Sequence, residues 1–309
     1  MKSNSSIDRE IKLSDIGVLV LGFNRPELLT KRIIQLSSSN INHLYISIDG
    51  GSASHTLEME KVKQLSRQIF NKQKINIFHN KKNIGLVLHV TGAISKVLKN
   101  HEYIVVIEDD IILGENFIDS MVKGLNLQKN LGQSGIVSGG SQIYNGKFNN
   151  KWRKTYTPSV WGWACSAKTW RGYRHDLNDT KINKWVNESQ TWQKLKKTEQ
   201  MFWLGKFNKI KKNPLYTWEY QLIFHLFKNN YVSLAPIFSL TGNEGYGDTR
   251  ATHTRIKKPN NIANHKINNR AVIKFSKYSQ VYINIEIWKN QIKFNLIKSY
   301  TNALKYLID

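Results

Sequence analysis

Within the first 110 residues, short apolar runs alternate with amphipathic segments four times, and each run ends in polar residues. Residues 16 to 23 (IGVLVLGF) form an almost unbroken apolar stretch of strand length, the mark of a strand covered on both faces. Asn24-Arg25-Pro26-Glu27 then has the pattern of a helix start, with Asn24 as N-cap, Pro26 in the first turn and Glu27 three residues after the cap. Leu28, Leu29, Ile33 and Leu36 continue at helical spacing. The unit recurs as a strand over Leu44 to Ile48 ending in Asp49-Gly50-Gly51 and a helix over Glu58 to Phe70. It recurs again as a strand over Ile75 to Phe78, the turn Asn83-Ile84-Gly85 and a helix over Leu86 to Leu98. A fourth strand, Tyr103 to Ile107, runs into Glu108-Asp109-Asp110, with a helix from about Glu115 to Leu127 after it.

Such alternation predicts an open, mostly parallel α/β sheet, in which ligands bind beyond the carboxyl ends of the strands. Asn24-Arg25, Asp49, Asn83 to Gly85 and the acidic triplet all follow predicted strands, so folding gathers them on one rim. From about Gly139 the pattern loosens and tryptophans crowd in, at Trp152, Trp161, Trp163, Trp170, Trp185, Trp192, Trp203 and Trp218. The expected organisation is a nucleotide-binding half over 14–138, an aromatic-rich acceptor-side half over 139–255 and a C-terminal extension over 256–309.

The acidic triplet is the strongest chemical signal. Hard divalent cations such as Mn2+ or Mg2+ take carboxylate oxygens and also bind substrate phosphates. Three acids also suffice to end a strand and cap the next helix. Acids held rigidly after a buried run such as Ile104 to Ile107, however, repel one another without a cation, which favours metal. Arg25 has the forked geometry for a phosphate. Asn83 earns its place by its position among the strand ends, whereas Gly85 is a turn requirement. Glu219, between Trp218 and Tyr220, is the candidate general base, because apolar neighbours raise a carboxyl pKa toward a useful range. Trp161, Gly162 and Trp163 suit either a sugar-facing wall or ordinary core packing.

VLVLGFNRPELL, SIDG, NIGL and VVIEDDIILGENF together resemble GT-A nucleotide-sugar glycosyltransferases, with N-acetylglucosaminyltransferase I and bacterial surface-polysaccharide sugar transferases nearest in likeness. WGWACSAKTW, TWEYQ and GDTRATHT resemble later segments of that family. The resemblance implies a GT-A (Rossmann-like) fold and an inverting transfer of a sugar, first N-acetylglucosamine, from a UDP-sugar to a glycan or lipid-linked glycan. It implies Asp110 as the direct metal ligand, joined by His253, with Asp248 a competing ligand. Glu108 and Asp109 would contact sugar and ribose. Phe23, Asn24 and Arg25 would line the nucleotide pocket, and Asp49 would accept a hydrogen bond from the base.

The 46 Lys+Arg against 22 Asp+Glu, a formal charge of +24, favour anionic partners without choosing among them. A nucleotidyltransferase is the alternative enzyme, but no phosphate-binding G-x-x-x-x-G-K-S/T run is present. A basic, aromatic nucleic-acid binder is the non-enzymatic alternative, disfavoured because acids at the strand ends repel a polyanion. The single Cys165 excludes an internal disulfide and is expected to be a core thiol in a reducing cytoplasm. No segment has the apolar length of a membrane span, so attachment is expected to be peripheral, with Lys289, Lys293, Lys298 and Lys305 beside Phe294, Leu296, Ile297 and Leu304 a candidate docking segment for an anionic leaflet.

Overall fold

A computed structural model of the chain describes residues 9–70, 75–141, 152–178, 181–237 and 239–250. The first half follows the predicted alternation: β1 (Ile16–Gly22), α1 (Pro26–Leu36), β2 (His43–Ile48), α2 (Ala53–Ile69), β3 (Ile75–His79), α3 (Leu86–Val97) and β4 (Tyr103–Glu108). A three-residue strand β5 (Ile111–Leu113) precedes α4 (Phe117–Asn130) and β6 (Ile136–Ser138). The second half comprises β7 (Trp152–Thr155), β8 (Trp163–Ser166), α5 (Ala167–Trp170), α6 (Ile182–Glu188), α7 (Gln190–Gln193), α8 (Lys197–Lys212), α9 (Glu219–Lys228), β9 (Ser233–Pro236) and β10 (Thr241–Asn243).

Among the described residues the main sheet has the order β3-β2-β1-β4-β8-β6-β9-β7. β1 pairs in parallel with β2 and β4, and β2 with β3. β8 runs against both β4 and β6, so β6 and its parallel neighbour β9 share the direction of the first four, while β7 runs opposite. The chain is therefore Rossmann-like α/β, with a mostly parallel central sheet flanked by helices. Trp163 of β8 lies opposite Val106 of β4 on one side and Ser138 of β6 on the other, so one strand joins the two halves of the sheet.

Alternation along β1 divides the core. Val18 and Val20 face one layer with Leu29, Ile33, Ile46, Met121 and Trp152, while Leu19 and Leu21 face the other with Val90, Ile94 and the aromatic second half. Trp163, Trp170, Trp185, Trp192, Trp203 and Trp218 all pack in that second layer, and Cys165 is a buried free thiol there. The aromatic crowding is thus mostly core.

Three local expectations shift. Arg25, not Asn24, is the N-cap of α1, because a residue before proline is held near extended backbone and Arg25 has φ −128°. α2 begins at Ala53, five residues before the expected Glu58, where the Ser52 hydroxyl accepts from the His55 N–H at 3.3 Å. α4 begins at Phe117, since 111–113 is occupied by β5, which pairs antiparallel with β10. His253 and the C-terminal stretch from 256, with the proposed leaflet-binding segment, lie outside the described residues.

Candidate active site

The carboxyl ends of β1, β2 and β4 and the turn after β3 open into one cavity of about 430 Å³. From the first half it is lined by Phe23, Asn24, Arg25, Asp49, Asn83, Glu108, Asp109 and Asp110. From the second half come Trp161, Tyr216, Glu219, Asn243 and Arg250. The expected gathering of strand ends has therefore occurred, with Glu219 and Trp161 beside the acids.

Arg25 is fixed between two acids. Its Nε donates to Asp109 Oδ2 at 3.3 Å, its Nη2 pairs with Asp109 Oδ1, and its Nη1 donates to Asp110 Oδ2 at 3.1 Å. Burial by itself would lower the guanidinium pKa, but the two carboxylates outweigh it and hold Arg25 above its ordinary value. As an N-cap residue Arg25 makes no side-chain cap bond, so the guanidinium is free for this role.

The acids differ in how far one cation can serve them. Burial pushes Asp109 up to about 7 against the opposing pull of Arg25. Burial likewise raises Asp110, with Arg25 again opposing. Glu108 rises further, to about 8, because burial is reinforced by its two acidic neighbours. Glu108 and Glu219 keep part of their surface toward the cavity, yet protein atoms surround each carboxyl on its other sides. Burial raises Glu219 to about 6, tempered by the charge of Lys206.

Asp49 has a double position. Oδ1 accepts from the Gly50 N–H at 2.9 Å, the Ile84 N–H at 3.1 Å and Asn80 Nδ2 at 3.1 Å, and Oδ2 accepts from the Gly85 N–H at 3.0 Å. The carboxylate thus ties the end of β2 to the turn that starts α3, where Gly85 adopts φ +84°. Only Oδ2 keeps capacity for another donor. Asp49→Ala would orphan the buried Gly50 N–H and remove three part-buried bonds to Asn80, Ile84 and Gly85, and should lower stability by about 2 kcal/mol, read as a shift of the urea midpoint. A loss below about 0.5 kcal/mol would show that the turn holds without it.

The residues 243–250 close over the acids. The Glu244 N–H donates to the Asp110 carbonyl at 2.9 Å, and the Glu244 carboxylate pairs with Arg32, which also donates to the Ile111 carbonyl at 2.9 Å. Gly245 lies so close to Asp110 and Arg25 that a side chain there would clash with both. Arg250 pairs with Glu27 and Asp248 and donates to the Asn24 carbonyl at 3.3 Å. Asp248 is therefore committed to Arg250 and does not line the cavity, contrary to its nomination as a competing metal ligand.

The Trp161-Gly162-Trp163 wall is corrected to Trp161 alone. Trp161 lines the cavity and meets Tyr246 edge-on at 6.0 Å. Trp163 has no exposed surface and stacks on Trp218 at 5.8 Å, since β8 turns its side chain into the layer beneath the sheet. Gly162, at φ +64°, packs against Phe117 and Thr241 and makes the turn into β8. Sequence reasoning missed His89, whose imidazole is 2.9 Å from the Ser47 hydroxyl, and also Tyr216, Asn243 and Arg250. His89 sits one turn after the NIGL motif, and Arg250 sits inside GDTRATHT, where His253 and Asp248 had drawn attention.

Among the described residues no group of three or more His, Cys, Asp or Glu side chains forms a metal cage. The cavity nevertheless carries five carboxylates, Asp49, Glu108, Asp109, Asp110 and Glu219, against two guanidiniums, one of which is spent on Glu27 and Asp248. This excess of hard oxygen donors fits a cation held by one or two carboxylates and completed by substrate phosphates, as Mg2+ and similar ions prefer.

No family model matches the chain, and no curated protein matches it. Among solved structures the chain is similar to the mannosyltransferase PcManGT from Pyrobaculum calidifontis, determined in complex with GDP-mannose and Mn2+. The identity is 11% and the TM-score 0.37, over 50% of this chain and 45% of that one. The chain thus spans less than half of that protein, and a likeness this distant assigns nothing.

Proposed function

We propose that the chain is a metal-dependent, inverting glycosyltransferase that moves a sugar, first N-acetylglucosamine, from a UDP-sugar to a glycan or lipid-linked glycan. The observation that carries this is the single cavity in which Arg25, the Glu108-Asp109-Asp110 triplet and Glu219 meet at the carboxyl ends of a parallel sheet. Phe23, Asn24, Asn83 and the free capacity of Asp49 Oδ2 receive the nucleotide, and Arg25 exchanges part of its hold on Asp109 for a phosphate oxygen. Glu108 and Asp109 hold the sugar and ribose hydroxyls, and Trp161 covers an apolar sugar face. Asp110, with His253, would hold Mn2+ or Mg2+, which supplies positive charge to a departing diphosphate.

Glu219 takes the proton from the acceptor hydroxyl as that oxygen bonds to the anomeric carbon. The bond from that carbon to the diphosphate breaks, and UDP carries away the electron pair. Its raised pKa suits a base that must be ionised near neutrality and still bind a proton during transfer. Burial, aided at Glu108 by its acidic neighbours, leaves Glu108 and Asp109 holding protons near neutrality that a bound cation would displace.

The test is product release from a panel of nucleotide sugars with and without Mn2+. UDP released only with metal, and most from UDP-N-acetylglucosamine, is the expected result. Pyrophosphate as the product would instead make the chain a nucleotidyltransferase, and turnover unchanged by chelation would remove the metal from the scheme.

A further inference from the structure

Among the described residues the exposed large hydrophobic side chains are Ile34, Leu57, Ile84, Leu88 and Leu215. Single exposed apolar residues are normal on a protein surface. Three of these five, however, sit on the two segments that border the cavity from opposite halves of the chain. Ile84, 45% exposed, lies between the lining residues Asn83 and Gly85, and Leu88, 39% exposed, lies next to the lining residue His89. Leu215, 57% exposed, itself lines the cavity next to Tyr216, in the connection between α8 and α9.

Two of the tips, Ile84 and Leu215, follow exposed lysines. Lys81 and Lys82 are exposed just before Ile84, and Lys209 and Lys212 are exposed just before Leu215. Lys209 Nζ lies 3.6 Å from the centre of the Tyr216 ring, which holds this ammonium on the same lip without neutralising it. No Asp or Glu occurs from residue 61 to 101 or from 200 to 218, so both lips are cationic without internal compensation. Apolar side chains ringed by lysines are what an anionic bilayer surface accepts, with tips entering the headgroup boundary and ammonium groups meeting lipid phosphates.

We propose that the two lips of the cavity, Lys81 to Leu88 and Lys209 to Leu215, dock the protein on an anionic lipid surface and turn the cavity mouth toward it. The proposal depends on the sugar-transfer function only for its purpose, which is to meet an acceptor whose lipid anchor lies in the bilayer. Among the described residues no helix is long and apolar enough to cross a membrane.

Co-sedimentation of the full chain with vesicles of phosphatidylcholine, alone or with about a third phosphatidylglycerol, tests this directly. The wild type should bind only the anionic vesicles. Ile84→Asp combined with Leu215→Asp should weaken that binding at least about tenfold, through lost burial of two aliphatic side chains. Lys81→Gln and Lys212→Gln should each cost roughly fivefold. Ile34→Asp and Leu57→Asp, on α1 and α2, should leave binding as in the wild type. These positions are exposed, so unfolding midpoints confirm intact folds before binding is compared. Wild-type binding in the lip variants, or no preference for anionic vesicles, overturns the proposal. Vesicle binding needs no donor, so a chain that binds vesicles but releases no UDP would refute sugar transfer alone.

Discussion

Glu219→Gln is expected to lower kcat by roughly 10²–10⁴-fold while leaving donor affinity nearly unchanged, because it removes the proton acceptor and keeps the shape of the side chain. The pH profile distinguishes this from a loss of packing. Burial, partly opposed by Lys206, sets Glu219 to about 6, and the base works only when ionised. Wild-type kcat should therefore climb as pH rises through about 6 and flatten above it. In the Gln variant the residual activity should lose that acid limb. A variant with near wild-type turnover and the same limb would assign the base elsewhere.

Asp110→Ala should abolish metal-dependent UDP binding and reduce turnover by about 10³-fold or more, since the chain would lose its expected direct metal ligand. Arg25 would still have Asp109 as a partner, so the fold should survive. Asp110→Asn keeps the volume and checks that point. A further consequence concerns pH. Glu108 and Asp109, raised to about 8 and about 7 mainly by burial, hold protons in the neutral range that a bound cation would displace. Manganese affinity should therefore increase from about pH 6 to about pH 8, by no more than about tenfold per unit for each proton released. Titration of free manganese by electron paramagnetic resonance reads this directly. Equal affinity at both pH values, or unaltered binding of manganese with UDP by Asp110→Ala, would refute the metal assignment.

What the sequence made legible was the part of the fold set by local pattern. Apolar runs such as Ile104 to Ile107 are buried on both faces by the parallel sheet they build, and the polar residues after them meet because parallel strands end on one side. Non-local pairing was not legible. β5 and β10 have three residues each, carry little pattern of their own, and exist because residues 111–113 meet residues 241–243 across the chain. Trp163 has the same explanation: whether a Trp faces a cavity or a core depends on where β8 inserts, between β4 and β6. The Arg250 contacts with Glu27 and Asp248 are long-range on one side and invisible to spacing arguments on the other. Arg25 at the N-cap was foreseeable, since proline restrains the residue before it.

The shared rung at Trp163 has a geometric outcome for the substrate. The β4–β8 ladder ends at the Val106–Trp163 pair, so Glu108, at the end of β4, and Trp161, before the Gly162 turn at φ +64°, both lie past the same end of it. The Glu108 carboxylate is therefore positioned by a strand and the Trp161 indole by a turn, and both line the cavity. The pair is a caliper with one fixed jaw, the strand-borne acid, and one adjustable jaw, the indole on its turn. Under the proposed reaction, changes in the turn that carries Trp161 would alter which ring fits while leaving the strand-borne acid where it is.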